Sequence, residues 1–297
     1  MNEDQNHLQM KEQYGNFLFS IDLEDVRHGV PEGLRYREGV PGNTYRYLDW
    51  LDSRGFKCTF FVTGQVAESY PSLIKEIVLK GHEIACHTTK HIPLTMFTPD
   101  EFRKDLDDNI SLLLKTGIEQ VKGFRAPSYS IRPETSWVYD ILIDMGFEYS
   151  TSILSAKKPF TGWPDFGTDP CIIKDRFIEI PISLFNLGPF AFPLAGGAYF
   201  RILPEFLINH LLRVRRKEKK PIIGYFHPYD IDTEQEHFIH GGINDNRFYN
   251  FLMYYNRKCV FPRLEKVLDS GYKIITFSEY IMDLKEANGL RICKAFN

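Results

Sequence analysis

Apolar runs of strand length recur at residues 17–22, 58–64, 83–87, 121–126, 147–153, 177–183, 221–227 and 273–277. Amphipathic stretches with helical spacing fill most of the intervals between them. Several of these stretches carry defined ends. Asn43–Ser53 has Gly55 just beyond it, Glu68–Lys80 stops at Gly81, and Thr98–Thr116 opens with Thr98-Pro99-Asp100-Glu101 as cap and first turn. Pro133–Met145 and Asn246–Ser270 are each followed by a glycine. Alternating strands and helices predict a parallel β/α architecture, because parallel strands need a crossover and a helix supplies it. Periodicity alone does not separate a closed barrel from an open, doubly wound sheet. Residues 155–176, 187–197 and 232–244 read as long loops, which at strand ends commonly form a cleft.

At 297 residues with 43% hydrophobic content, the chain can bury a large core. No repeat or linker marks a boundary, so 17–290 reads as one domain between an N-terminal extension, 1–16, and a tail, 291–297. A formal net charge of −3 gives no electrostatic case for nucleic acid. The basic run Arg213–Lys220 reads as the solvated end of a helix, with contact to anionic lipid or phosphate as the minor alternative. Residues 1–13 are polar without an apolar core, and no apolar stretch is long enough to span a bilayer, so a cytoplasmic location is expected. The five cysteines, at 58, 86, 171, 259 and 293, lack C-x-x-C spacing and read as free thiols.

The candidate chemistry lies where strands end. His87-Thr-Thr-Lys-His91 follows the run Glu83–Cys86, and two imidazoles four residues apart can face one metal ion from a helical turn. Phe17–Ile21 runs into Asp22-Leu23-Glu24-Asp25, Val121–Phe124 into Arg125, and Pro221–Phe226 into His227-Pro-Tyr-Asp230. A polar turn closing a strand is the plain reading of any one of these. Together they supply a base, two neutral metal ligands, a cation and an acid.

The order of these motifs, with T-F-F-V-T-G at 59–64, G-H-E-I-A-C-H at 81–87 and R-A-P-S at 125–128, resembles the polysaccharide deacetylase (NodB-homology) superfamily. Asp22-Leu-Glu-Asp25, Gly196-Gly-Ala-Tyr-Phe-Arg201 and Tyr225-Phe-His-Pro-Tyr-Asp-Ile-Asp232 resemble its cytoplasmic branch associated with exopolysaccharide and capsule genes. The resemblance implies a distorted seven-stranded (β/α) barrel and a bound divalent ion: zinc first, with cobalt, nickel, iron or manganese as alternatives. It also implies residue roles. Asp22 is the general base, Arg125 pairs with it, His227 is the general acid, and His87 and His91 are metal ligands. The family's carboxylate ligand has no direct counterpart because position 23 is Leu. Asp25 is preferred there for its length, with Glu24 as the alternative because it shares Asp22's side if the strand continues. Ser128 stands where the family has a tyrosine, with Tyr129 after it, and both are assigned to substrate binding. Trp163 as a stacking surface, Gly196 and Gly197 as a close backbone approach, and Tyr199 and Arg201 as platform and clamp complete the substrate set. His82 is assigned to structure and His28 is left open.

The expected activity is hydrolysis of an N-acetyl amide on an amino sugar in a surface-polysaccharide or lipid-linked glycan pathway. The partner is an N-acetylated sugar or glycan, with no nucleic acid and no transmembrane segment; peripheral contact with a membrane or lipid-linked substrate and the oligomeric state are left open. Two alternatives stand beside it: an amidohydrolase acting on a small cyclic amide, and a catalytically silent glycan-binding module.

Overall fold

A ten-stranded, mostly parallel sheet frames the computed structural model, which describes residues 14–156, 162–187, 190–241, 246–287 and 289–296. Its centre is strand β1, Gly15–Leu23, buried on both faces along most of its length, as parallel strands sandwiched between layers are. Strands β2 (Thr59–Val62), β3 (Glu83–Cys86), β4 (Gly123–Phe124), β5 (Tyr149–Ser150) and β7 (Ile178–Glu179) follow on one side of it, each parallel to the last. Strand β10 (Ile222–Phe226) flanks β1 on the other side, and β11 (Tyr272–Ile275) pairs with residues 15–18 of β1. All eight strands expected from the apolar runs are present, several shorter than their runs.

Strand alternation sorts β1 into two functions. Phe17, Phe19, Ile21 and Leu23 join the core beneath the helices. Leu18 packs with Phe61, Ala85, Ile178, Ile223 and Phe277 on the concave side of the curl, and Ser20 and Asp22 continue that side toward the strand's C-terminal end. An acid is thereby carried on the concave face to where the strands end.

The expected distorted seven-stranded barrel is corrected to a curled, partly open sheet of ten strands. The outer edge of β7 is taken by antiparallel β6 (Cys171–Ile172), and β6 in turn pairs with β12 (Arg291–Ile292), from the segment expected to be a tail. With that edge occupied, β10 cannot pair there. It meets instead a single bridge, Gly196 to Tyr225, and the Ser183 hydroxyl, which accepts the Ile223 N–H at 3.0 Å.

Helix α1 spans Val40–Asp52. The expected helix 68–80 is two, α2 (Gly64–Ser69) and α3 (Pro71–Leu79), separated where Pro71 has no N–H to continue the ladder. Helix α4, Pro99–Leu114, begins with the expected cap: Thr98 and Glu101 form a reciprocal capping box. Helices α5 (Val138–Asp144), α6 (Gly197–Ile202) and α7 (Glu205–Lys217) follow. The expected loop 187–197 contains part of a hairpin, β8 (Leu184–Leu187) with β9 (Phe190–Pro193). The expected helix 246–270 divides at Asn256, whose left-handed φ of 53° ends one helix, α8 (Arg247–Tyr254), before α9 (Val260–Asp269). Helix α10, Phe277–Glu286, follows β11 with its own capping box at Thr276. None of the helices in the described residues is long and apolar enough to cross a membrane.

Candidate metal centre and catalytic cleft

Asp22, at the end of β1, is 4% exposed and is ion-paired with Arg125 Nη1. Arg125 follows β4 and is completely buried. Its Nη1 also donates to the Ser20 hydroxyl at 2.8 Å, and its guanidinium lies 3.9 Å from the centre of the Phe61 ring. Burial is the largest influence and pushes the Arg125 guanidinium down, but the Asp22 charge and hydrogen bond, together with the phenols of Tyr129 and Tyr149, hold it above its ordinary value. A permanent cation is thus locked onto one oxygen of Asp22 while the other faces the cleft.

His87 follows β3, and its Nδ1 lies 2.7 Å from the Arg125 carbonyl oxygen. That oxygen can only accept, so Nδ1 carries the proton and Nε2 keeps its lone pair. Burial pushes the imidazolium down to about 4, which leaves the ring neutral at physiological pH, as a metal ligand must be. His91 does not share a helical turn with it, which corrects that expectation. Residues 87–93 have no regular structure, and Thr88 and His91 adopt left-handed φ of 61° and 54°. This irregular path brings the two rings to 4.9 Å between centroids.

The third candidate donor is Glu24. Its Oε2 lies 2.9 Å from His91 Nε2, and the ligand atoms of Glu24, His87 and His91 all fall within 4.8 Å of one another. Around an ion bound at roughly 2.0–2.2 Å, donors sit roughly 3–4 Å apart, so a small contraction suffices. Burial pushes the Glu24 carboxyl up, but the three histidines around it outweigh that and hold it well below the usual range. Asp25, the preferred candidate, turns the other way. It pairs with Arg27 Nη2 at 2.6 Å, and its Oδ1 caps the turn Val26–Gly29 by accepting the Arg27 N–H at 3.0 Å. Two neutral-capable imidazoles and one carboxylate, with a carbonyl fixing one tautomer, suit a divalent cation.

His227 follows β10 and faces this group, its Nε2 3.6 Å from Glu24 Oε1 and 3.9 Å from Asp22 Oδ2. Its Nδ1 lies 3.1 Å from Asp230 Oδ2, and Asp230 Oδ1 accepts from Arg201 Nε at 3.1 Å. Burial pushes the imidazolium down, but the Asp230 hydrogen bond and charge, with Glu24 and Asp22, raise it to about 9. At neutral pH His227 therefore carries a proton on the nitrogen aimed at the cleft.

The cleft encloses about 450 Å3 and is bordered by Asp22, Glu24, His87, His91, His227 and, across from them, Ser128 and Tyr129. Both of the latter sit on the turn Pro127–Tyr129 with left-handed φ of 54° and 51°. The Tyr129 hydroxyl is buried without a hydrogen-bond partner among the described residues, while its backbone N–H is committed to the Ala126 carbonyl at 3.1 Å.

Five residues expected to contact substrate are placed elsewhere. Trp163 is buried against Phe166 and Phe296, with centroids 5.2 and 5.9 Å away. Gly196 and Gly197 face protein: a Cβ would collide with the Tyr225 ring at the first and the Asp230 carboxylate at the second. Arg201, completely buried, clamps Asp230 and the carbonyls of Leu252 and Tyr255. Tyr199 stacks on Phe192 at 6.4 Å. His82 accepts the Cys58 N–H at 3.2 Å, a structural bond, and His28 is exposed beside the cleft-lining Val26 and Gly29.

Two residues, one buried behind His227 and one lining the cleft, carry no role in the sequence reading. Asp230 stands in the H-P-x-D run, where a histidine and an aspartate three residues apart across a proline turn is a readable signal. His240 lines the cleft and packs edge-on against Tyr229, 5.4 Å away, from a loop whose sequence carries no such signal.

Comparison with known proteins agrees with this geometry. The polysaccharide deacetylase profile matches residues 33–149, and a domain of unknown function (DUF3473) matches 151–281. A bifunctional xylanase/deacetylase of Pseudobutyrivibrio xylanivorans is 32% identical over 99 residues, covering 33% of this chain and 16% of its own length. A chitooligosaccharide deacetylase of Sinorhizobium fredii is 35% identical over 103 residues, 34% of this chain and 45% of its own. The chain thus spans less than half the length of either relative. In fold, a Mycobacterium smegmatis protein assigned to the polysaccharide deacetylases superposes with a TM-score of 0.58 at 18% identity, covering 94% of both chains. Residues 33–149 are thus similar to the polysaccharide deacetylase family, and the curled α/β sheet with a His/His/Glu cluster at its strand ends agrees with that likeness.

Proposed function

We propose that the protein is a metal-dependent deacetylase that hydrolyses the N-acetyl amide of an amino sugar in a surface-polysaccharide or lipid-linked glycan. The observation that carries this reading is the convergence of Asp22 and His227 on the Glu24–His87–His91 cluster, with a paired and an orienting group behind each. A divalent ion held by Glu24, His87 and His91, zinc before other transition metals, would supply Lewis acidity to water and to the amide carbonyl. Asp22 takes the proton of the attacking water on the oxygen that Arg125 leaves free. His227 Nε2 gives its proton to the departing nitrogen. The C–N bond breaks, leaving acetate and the free amine. Asp230 keeps the His227 ring oriented throughout. The free cysteines of the described chain fit a reducing, cytoplasmic compartment.

The test combines metal content with acetate release from an N-acetylated oligosaccharide. Glu24→Gln is expected to lower metal affinity by at least about tenfold and to lose turnover with it, whereas Asp25→Asn leaves affinity near wild type. Full metal affinity in Glu24→Gln would move the third ligand elsewhere. A metal-loaded wild type that binds glycan without releasing acetate would reduce the protein to a binding module.

A further inference from the structure

Helix α8 turns most of its aromatic residues outward. No residue of Arg247–Tyr254 is fully buried, and the half-buried side that faces the molecule carries Asn250 and Tyr254 beside Leu252 and Met253. Asn250 donates to the Phe238 carbonyl and accepts the His240 N–H, each at 3.0 Å, and Tyr254 Oη accepts the Phe238 N–H at 3.0 Å. Its aromatic positions point away: Phe248 is 65% exposed, Tyr249 57%, Phe251 58%, and Tyr255 just beyond the helix 43%. Residues 248, 251 and 255 are spaced by three and four, so they form one stripe. A contiguous apolar surface of this kind marks a contact rather than a random surface.

Charge identifies the contact. Between Asp245 and Glu265, the latter paired with Arg54, the chain holds Arg247, Arg257, Lys258 and Arg263 and no acid, with Arg257 buried, within a protein of net charge −3. Arg247 and Lys258, at either end of the stripe, are exposed. A second copy of the chain would bring cation against cation with no acid from this segment to pair it. Phe248 and Tyr249 are tilted by 56° and Phe251 and Tyr255 by 48°, so the four rings form a ridged apolar surface rather than one flat platform. Splayed phenyl and phenol rings flanked by exposed cations suit the boundary between headgroups and acyl chains of an anionic bilayer. Met253 of the same helix lines the catalytic cleft. The basic run 213–220 is a poorer candidate, since Arg215 is spent on Ser183 and the Pro221 carbonyl and Lys220 pairs with Asp169 at 2.7 Å.

We infer that α8 is an interfacial helix that docks the protein on anionic phospholipid and sets the cleft mouth at the membrane surface. The test is cosedimentation of the full chain with vesicles of phosphatidylcholine alone and of phosphatidylcholine mixed with phosphatidylglycerol. Wild type is expected to bind the mixed vesicles, to release as salt rises, and to bind phosphatidylcholine weakly. Phe248→Ser with Phe251→Ser, at exposed positions that leave the fold unchanged by circular dichroism, is expected to weaken binding by about tenfold or more. Arg247→Gln with Lys258→Gln is expected to remove the preference for phosphatidylglycerol. Wild type that binds neither vesicle, or a phenylalanine variant that binds as wild type does, overturns the inference. So does a variant whose only loss is self-association. No turnover is read, so the inference stands or falls apart from the deacetylase reading.

Discussion

Two buried arginine–aspartate pairs flank the cleft, and their difference shows what gives a carboxylate its task. Arg125 and Arg201 are both fully buried, with Asp22 and Asp230 at 4% and 0% exposure. Asp22 spends one oxygen on Arg125, and the other looks across the cleft to His227 Nε2 at 3.9 Å. Asp230 spends both: Oδ1 on Arg201, and Oδ2 on the Nδ1 of His227 and on its backbone N–H at 2.8 Å. The first carboxylate is left with a face that can take a proton from a ligand. The second is saturated and can act only through the ring it holds. Burial and the arginine partner are common to both, so the direction of the second oxygen separates the proposed base from the proposed orienter.

The widest gap between the pairs is expected at Asp22→Asn. Losing the group that accepts the proton should lower turnover by about a hundred- to ten-thousand-fold while the metal stays bound. Kinetics on an N-acetylated oligosaccharide beside metal analysis measures both. A loss below tenfold would make Asp22 a second structural pair.

Asp230→Asn is expected to do less to rate, about 10–100-fold, and more to pH dependence. The asparagine oxygen can still accept from Nδ1–H, but the negative charge is gone, so the His227 value falls from about 9. The proton-donating form is then lost at lower pH, and the alkaline limb of kcat/KM moves down. An unmoved limb in a folded Asp230→Asn protein would break the link between this pair and the acid.

These contrasts were unequally legible in the sequence. The β1 run and its acidic end place Asp22, and period-two alternation puts it on the concave face with Leu18. The same alternation points to Glu24, but preference for a shorter carboxylate chose Asp25, whose local use is to cap a turn and hold Arg27. The role of Asp230 depends on a proline turn folding it back onto the ring three residues earlier. Gly197 invited a ligand because spacing cannot show that its neighbour is the Asp230 carboxylate. Sheet closure was the least legible feature. It is decided by which strand takes the outer edge of β7, and that strand and its own partner, β6 and β12, are each too short to leave an apolar run.

The smallest effect concerns stability. In the metal-free chain His227 stands at about 9 against an ordinary value of 6.5, because Asp230, Glu24 and Asp22 outweigh burial, the largest single influence. Between those values the folded protein holds a proton that the unfolded chain has released. The native state then binds more protons than the unfolded one, so stability falls as pH rises. The contribution is whole below pH 6.5 and is lost as pH passes through about 9. The Arg125–Asp22 pair contributes no such window, because Arg125 keeps its charge throughout. Urea unfolding of chelator-treated wild type is therefore expected to lose on the order of 1–3 kcal/mol between about pH 6 and 10. His227→Gln should be flatter across that range by a similar amount. Parallel curves for the two proteins would place the proton elsewhere, with His91 next in line, since Glu24 also holds that imidazolium above its ordinary value against burial.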